Sequence, residues 1–380
     1  MHLLMLDMSR AFDTIDRGTL LHELSSIIEP DELHLVSLLL TDVQLQVNLN
    51  NVKGNIFKPD IGSPQGDCAS PIWFIFYLNQ ALQAVKSNIQ QPRNPTLDLC
   101  HDHPYHKAVE KDRTKIPKGQ SEFCIDQQYA DDASWATTKV TVKEEIKTIA
   151  PQKLRENNLL VNEDKTEEFE VSRTSNPDWK KCKLLGSLLG NTEDIKRRKQ
   201  LASAAFANNK RVLCSKEISL RIRIRIFVAL ISSIFLYNSE LWVLSSKETK
   251  KIDSFQRSFL RQIIRTRFIS NVRLYKTCGV EPWSKSIKRQ RLNWFGHLVR
   301  LPDSAPAKKA LSEARKPYKK LRGGQPLTWL RTIAKDFNSN IKDLHKFIKI
   351  AYNRRQYAEV VDSVMSQVTY PSSTESESED

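Results

Sequence analysis

The sequence predicts an α+β fold, an antiparallel sheet with packed helices followed by a long helical region. Three observations carry that prediction. The apolar run Leu3-Leu4-Met5-Leu6 ends at Asp7 and has the length of a buried strand. Residues 123 to 138 place apolar positions (Phe123, Ile125, then Ala133, Trp135) on either side of Asp131-Asp132, a pattern expected of a β-hairpin with the two acids at its tip. From Ile195 onward, apolar residues recur at helical spacing and strand patterns disappear.

Composition sets the outer limits. With 380 residues and 40% hydrophobic content, the chain has material for two or three domains with cores. Lys and Arg outnumber Asp and Glu by 59 to 44, a balance that favours a polyanionic partner. The six cysteines show no repeated spacing, and the start of the chain lacks the basic segment of a secretion signal, so reduced thiols in an intracellular compartment are expected. The longest apolar run, Ile226 to Tyr237, is too short to span a bilayer and reads as a buried helix; no membrane is expected among the partners.

In chain order, Asp7 leads into Arg10-Ala11-Phe12-Asp13, where a turn leaving a strand offers backbone N–H groups to an anion while Phe12 faces either the same pocket or the core. Helical spacing follows at Leu20, Leu21, Leu24, Ile27 and Ile28, ending at Pro30, with a second helix over 31–40. Val43, Leu45, Val47 and Leu49 alternate with amides as in a half-buried strand, and Asn50-Asn51 suits a hairpin turn. Gly62-Ser63-Pro64-Gln65-Gly66 and Ser70-Pro71 fix a tight loop before an apolar helix that Ser70 is expected to cap. Gln65 then stands beside a helix N-terminus. Residues 87–122 form a polar insertion; Cys100, His101, His103 and His106, with Cys124 further on, lack zinc-ligand spacing and read as loop residues. A helix over 143–157 is expected to kink or break at Pro151.

Asp-x4-Phe-Asp at residues 7–13, Gly-Ser-Pro-Gln-Gly-x3-Ser-Pro at 62–71 and Tyr-Ala-Asp-Asp at 129–132, in that order, resemble the three central motifs of reverse transcriptases, more those of non-LTR retrotransposons (long interspersed elements) than the retroviral ones. The resemblance implies a polymerase palm in which Asp7, Asp131 and Asp132 ligate two Mg2+ ions, with Mn2+ as an alternative. It implies a steric gate at Phe12 against a ribose 2′ hydroxyl, which argues against an RNA-dependent RNA polymerase. It also implies nucleotide and template contacts from Gln65 and Gly66. Residues 159–166 resemble the next motif, in which Lys165 acts as general acid or is simply a lysine in a charged turn. Lys183-Leu184-Leu185-Gly186-Ser187 looks like the primer grip, or a strand bulge.

Residues 196–225 hold ten Lys or Arg against the single acid Glu217, which fits a helical thumb tracking a duplex, although such a run is more often a solvated face. The resemblance thus divides the chain into a palm with primer-grip hairpin at 1–193, a helical thumb at 194–270, a helical C-terminal tail region at 271–368 and a disordered acidic tail at 369–380. Within the tail, 291–300 and 322–330 interleave aromatics with Arg; Trp294 and Trp329 read as core anchors before they read as base-stacking platforms. Because Asp7 stands so near residue 1, the fingers are expected to be largely missing and the chain to be an N-terminally truncated element copy. The expected partners are an RNA template, a DNA primer and deoxynucleoside triphosphates. The expected activity is RNA-directed DNA synthesis, the alternative a catalytically inactive nucleic-acid-binding remnant.

Overall fold

The computed structural model describes residues 1–41, 43–63, 66–89, 124–129, 132–171, 177–314 and 327–367. These fall into two compact units, one up to Trp179 and one from Lys180 onward. The predicted mixture of helices with an antiparallel sheet is what the structure contains.

In the first unit, four strands lie in the order β4-β5-β1-β6, all antiparallel: β1 (His2–Ser9), β4 (Cys124–Tyr129), β5 (Asp132–Thr137) and β6 (Leu160–Glu170). Alternation decides which face is inner. Leu4, Leu6 and Met8 of β1 and Ala133 and Trp135 of β5 are buried, so the residues between them, Asp7 and Asp132 included, belong to the other face. The strand does not end at Asp7, as the apolar run suggested, but continues to Ser9.

The inner face is covered by helices α1 (Arg17–Leu24), α3 (Ser70–Asn88) and α4 (Val140–Glu156), which share one core with it. Trp73, Phe74, Tyr77, Leu78, Ala81, Leu82 and Val85 form one stripe of α3 at helical spacing. Burial of a side chain such as Phe74 contributes about 1.5–3 kcal/mol. Tyr77 adds a polar bolt: its hydroxyl donates to the Asn157 carbonyl at 2.7 Å and accepts from the Asp16 N–H at 3.3 Å, and burial raises its pKa.

Several local expectations are corrected. The first helix stops at Leu24, and residues 25–28 turn before α2 (Pro30–Leu40). Ser70 does not cap α3; Ala69 holds the cap position without a side-chain bond, Asp67 accepts the Ala69 N–H at 3.0 Å, and Ser70 is buried in the first turn. Pro151 neither breaks nor ends α4, because Val142, Ile146, Ala150 and Leu154 bury a continuous face past it. The alternating segment pairs as a hairpin of β2 (Leu45–Leu49) and β3 (Val52–Phe57), turning at Asn50-Asn51 as expected, but every residue of both strands is exposed rather than half buried.

The second unit begins with a miniature hairpin, β7 (Lys183–Leu184) and β8 (Ser187–Leu188), and is otherwise helical. Around a first core pack α5 (Asn191–Asn208), α6 (Lys210–Leu213), α7 (Leu220–Ile226), α8 (Ser233–Leu236), α9 (Ser246–Ile264), α10 (Asn271–Cys278) and the start of α11 (Trp283–Arg300). Its centre is aromatic: Trp283 stacks on Phe235 at 4.2 Å, with Phe227, Phe255 and Phe259 around them. The predicted helix over 226–237 is interrupted in character: Phe227–Ser232 is a π-turn, with Phe227, Ile231 and Phe235 inside while Val228, Leu230 and Tyr237 are exposed. Ser245 and Glu248 form a reciprocal capping box at the start of α9.

A second core joins the rest of α11 to α12 (Pro306–Ala314), α13 (Trp329–Asp336), α14 (Leu344–Ala351) and α15 (Arg354–Ser366). Trp294 and Trp329 pack against this core, and Trp329 Nε1 donates to the Glu240 carbonyl at 2.8 Å. Gly296 sits where α15 crosses: a Cβ there would stand 2.3 Å from the Tyr357 ring. No described helix is long and apolar enough to cross a membrane. The Cys100-to-His106 cluster, residues 322–326 and the acidic tail lie outside the described residues.

Candidate active site

The sheet brings together two acids separated by more than a hundred residues in the chain. Asp7 of β1 is the direct cross-strand partner of Asp132, the first residue of β5, so both side chains lie on the open face of the sheet. Opposed residues of this kind have Cβ atoms about 4.5–5.5 Å apart, where like charges repel unless a cation lies near. Asp132 is exposed, and a quarter of the Asp7 side chain is.

Lys165 supplies a cation here: its Nζ lies 3.1 Å from Asp7 Oδ2. The reason is local. β1 and β6 pair Met5 with Glu167 but Asp7 with Asn162, so the register slips and a bulge containing Lys165 stands beside Asp7. Bulges re-aim side chains in this way. Lys165 is therefore in a strand irregularity and not in a free charged turn.

Asp131 and Gln65 lie outside the described residues, as does Ala130. Among the described residues no group of three His, Cys, Asp or Glu is gathered as a metal site. The donors that are placed, two carboxylates on adjacent strands of an open face, are hard oxygen ligands of the kind Mg2+ takes, and the pair fits one side of such a site.

Phe12 is half buried, with its ring 4.4 Å from that of Phe74 on α3. Gly62 and Ser63 are held against the Phe12 turn: Gly62 N–H donates to Ile15 O at 2.8 Å and Ser63 N–H to Phe12 O at 2.9 Å. Asp16 caps α1 by accepting the Thr19 N–H at 2.7 Å, and that bond holds its carboxyl below the usual range. Gly66 has φ +94°, a left-handed conformation that favours glycine, with open space where a Cβ would be.

Leu185 and Gly186 are the two turn residues between β7 and β8, with φ 45° and 80°. This is a tight turn and not a bulge. Four side chains hold it. Arg197 and Arg198 both donate to the Gly186 carbonyl, at 2.8 and 2.5 Å; the Tyr237 hydroxyl donates to the Leu185 carbonyl at 2.9 Å; and Asn238 donates to Ser187 Oγ at 3.0 Å. Behind them, buried Asp194 accepts the Leu188 N–H and the Trp242 indole N–H, both at 2.9 Å. Sequence reasoning missed these anchors, as it missed Arg17 in the first unit, whose guanidinium donates to the Pro59, Gly62 and Ile61 carbonyls at 2.7, 2.9 and 3.4 Å. The run at 196–199 was visible only as charge; the four-residue spacing of Asp194 and Arg198 could have pointed to their ion pair, whereas no sequence signal marks a bond from arginine to a backbone carbonyl.

The fold and the acid pair define a class, an antiparallel sheet backed by helices on one face and presenting carboxylates on the other. The model of the family "Reverse transcriptase (RNA-dependent DNA polymerase)" matches residues 1–189. No curated protein matches. Solved structures that overlap include telomerase from Candida tropicalis in complex with a TWJ fragment of telomeric RNA (11% identity, covering 97% of this chain and 49% of that one, TM-score 0.37). The corresponding telomerase complex from Candida albicans overlaps at 13% identity, over 82% of this chain and 49% of that one, with TM-score 0.36. Apo telomerase from Candida tropicalis, truncated from its C-terminal domain, gives 16%, 46%, 32% and 0.33 for the same quantities. The chain thus spans half or less of the length of these structures, and overlaps at such TM-scores add nothing to what the family match says.

Proposed function

We propose that the chain is an RNA-directed DNA polymerase of non-LTR retrotransposon type, extending a DNA primer on an RNA template with deoxynucleoside triphosphates in an intracellular compartment. The observation that supports this best is the pairing of Asp7 with Asp132 on the open face of a sheet, within the residues that the reverse transcriptase family model matches. In this reading residues 1–193 are the palm with primer grip, 194–270 the thumb and 271–368 the tail region.

Asp7 and Asp132, with Asp131, would hold two Mg2+ ions, or Mn2+. Such ions, when bound, make the primer 3′ hydroxyl a stronger nucleophile and neutralise the departing pyrophosphate. The chain's own residues do the rest. Phe12, backed by Phe74, rejects a 2′ hydroxyl; Gln65 and Gly66 receive the nucleotide and the template. Lys165 carries the proton that the pyrophosphate takes. Leu185 and Gly186 steady the primer end, and the basic helices after residue 194 follow the duplex backbone.

Primer extension on poly(rA)/oligo(dT) with Mg2+ tests the proposal. Incorporation is expected, falling to background in Asp132→Ala and in Asp131→Ala. Retention of full activity in Asp132→Ala would sink it.

The Lys165–Asp7 ion pair favours a second reading, a nucleic-acid-binding chain without turnover, because Lys165 already neutralises one candidate ligand. That reading expects duplex binding with a salt slope of roughly 0.7–0.9 per phosphate contacted and no incorporation. It also expects Lys165→Met to leave nucleic-acid binding unchanged, where the polymerase reading expects slower incorporation.

A further inference from the structure

We infer that the connection between α9 and α10 is a binding site for single-stranded nucleic acid, in which Phe268 stacks on an unpaired base and Arg265 and Arg267 meet neighbouring phosphates. The inference goes beyond the polymerase reading, which asks only that basic helices follow a duplex backbone. Every observation behind it comes from the unit that starts at Lys180.

The connection is held at both ends. α9 stops at Ile264, and Arg265 takes the left-handed conformation with φ 60°. Its N–H donates to the Gln262 carbonyl and the Thr266 N–H to the Arg261 carbonyl, both at 3.2 Å. The Arg261 guanidinium reaches across to Asn271 Oδ1 at 2.7 Å, on the first residue of α10, and Ser270 caps that helix by accepting the Arg273 N–H. Ile264 and Ile269 pack against the core that α9 and α10 share. Phe268 lies between them in the chain and turns the other way, with 99% of it exposed. No other large apolar residue among the described ones exceeds 71%. The ring is thus held out by a fixed backbone.

Charge points to the kind of partner. No acidic residue occurs between Asp253 and Glu281, whereas Arg257, Arg261, Arg265, Arg267, Arg273 and Lys276 do. Four of the six, Arg265, Arg267, Arg273 and Lys276, are exposed. Such a surface attracts a polyanion. Arginine is also an unusual residue at position 265, since a left-handed cap suits glycine or asparagine better. The single aromatic decides which polyanion. One ring offers too little apolar area to anchor a membrane or to centre a protein interface, both of which need a contiguous apolar face. One ring is enough for one base. In a duplex each base is already stacked on its neighbours, so the ring takes an unpaired one. Arg265 and Arg267 lie within three residues of Phe268, at most about 11 Å along the chain, and so flank a base stacked there.

The test measures binding of the full chain to fluorescent oligo(dT), to a strand of equal length built from abasic nucleotides, and to a duplex. Phe268→Ala is expected to weaken oligo(dT) binding by about 5-fold to about 150-fold, the equivalent of about 1–3 kcal/mol of stacking on one base. Its binding to the abasic strand and the duplex should equal that of the unmodified chain. Phe268→Trp should bind oligo(dT) as the unmodified chain does. Arg265→Asn, which suits the left-handed turn, should lower the salt slope on oligo(dT) by about 0.7 without lowering the unfolding midpoint. The inference is overturned if the unmodified chain does not bind oligo(dT), if Phe268→Ala binds it undiminished, or if that variant loses as much on the abasic strand. Binding to phosphatidylserine vesicles that Phe268→Ala abolishes, with oligo(dT) binding unaltered, assigns the loop to a lipid surface instead and overturns it too. None of these measurements needs turnover, so failure here and failure of primer extension are separate results.

Discussion

Two hairpins in this protein use the same turn and reach opposite outcomes. β2–β3 has strands of five and six residues and turns at Asn50-Asn51 with φ 51° and 66°. β7–β8 has two residues in each strand and turns at Leu185-Gly186 with φ 45° and 80°. By ladder length the first should be the firmer element. Yet all its residues are exposed, whereas the second is held by Arg197, Arg198, Tyr237, Asn238 and Asp194. A lone two-stranded hairpin is marginal in water, so what stabilises a short one here is side chains that arrive from elsewhere.

The anchored hairpin is weakened most at Asp194. Asp194→Ala leaves the Leu188 N–H and the Trp242 indole N–H without partners and Arg198 without its counter-charge. A loss of about 3–5 kcal/mol is expected in the urea unfolding of the unit from Lys180 onward. Arg198→Met removes the bonds to Gly186 and Ser187 and the stacking on Tyr237, and should cost about 2–3 kcal/mol, with faster amide exchange at 185–187.

Turn chemistry is next in size. A leucine in the left-handed region is strained, so Leu185→Asn should stabilise the anchored hairpin by up to about 1 kcal/mol and raise the unit's unfolding midpoint. The parallel change Asn51→Gly, which also improves its turn, should slow local opening of β2–β3 and leave the midpoint of its unit unmoved. Equal shifts in both midpoints would show that the two hairpins are coupled to their units alike.

The smallest expected effect serves as a control outside both hairpins. Hydrogen bonds from Lys143 and then Lys147 hold the Glu168 carboxyl below its ordinary value, and the bond to Glu168 raises Lys143. The Glu168 contribution is present above the ordinary carboxylate value of 4.5 and is lost as pH falls through the lowered one. The Lys143 contribution is present below 10.5 and is lost as pH rises through the raised value. Unfolding midpoints of Glu168→Gln and the unmodified chain should therefore converge at both extremes of pH.

Much of the fold was legible because its signals are local. The apolar run at Leu3–Leu6, the hairpin on either side of Asp131 and the Asn50-Asn51 turn follow from residue type and period. What failed needed partners at a distance. Alternation from Val43 to Leu49 states which residues share a face, not whether anything covers it. Pro151 looked like a breaker because propensity cannot weigh four buried residues on the other side of the account. The site divides along the same line. The motifs brought Asp7 and Asp132 forward as types, but their facing register depends on which strands become neighbours. Arg17 escaped notice because its acceptors are carbonyls, which every residue has.

Gly296 has a consequence for how the chain is made. The face of α11 containing Leu292 and Gly296 is closed by Tyr357, whose hydroxyl donates to the Leu292 carbonyl at 2.6 Å across 65 residues of chain. At about 5–20 residues per second of synthesis, α11 waits roughly 3–13 seconds for that cover. During that interval the Leu292 carbonyl lacks the hydroxyl that closes it in the finished fold, so this face of α11 is completed only when α15 is made.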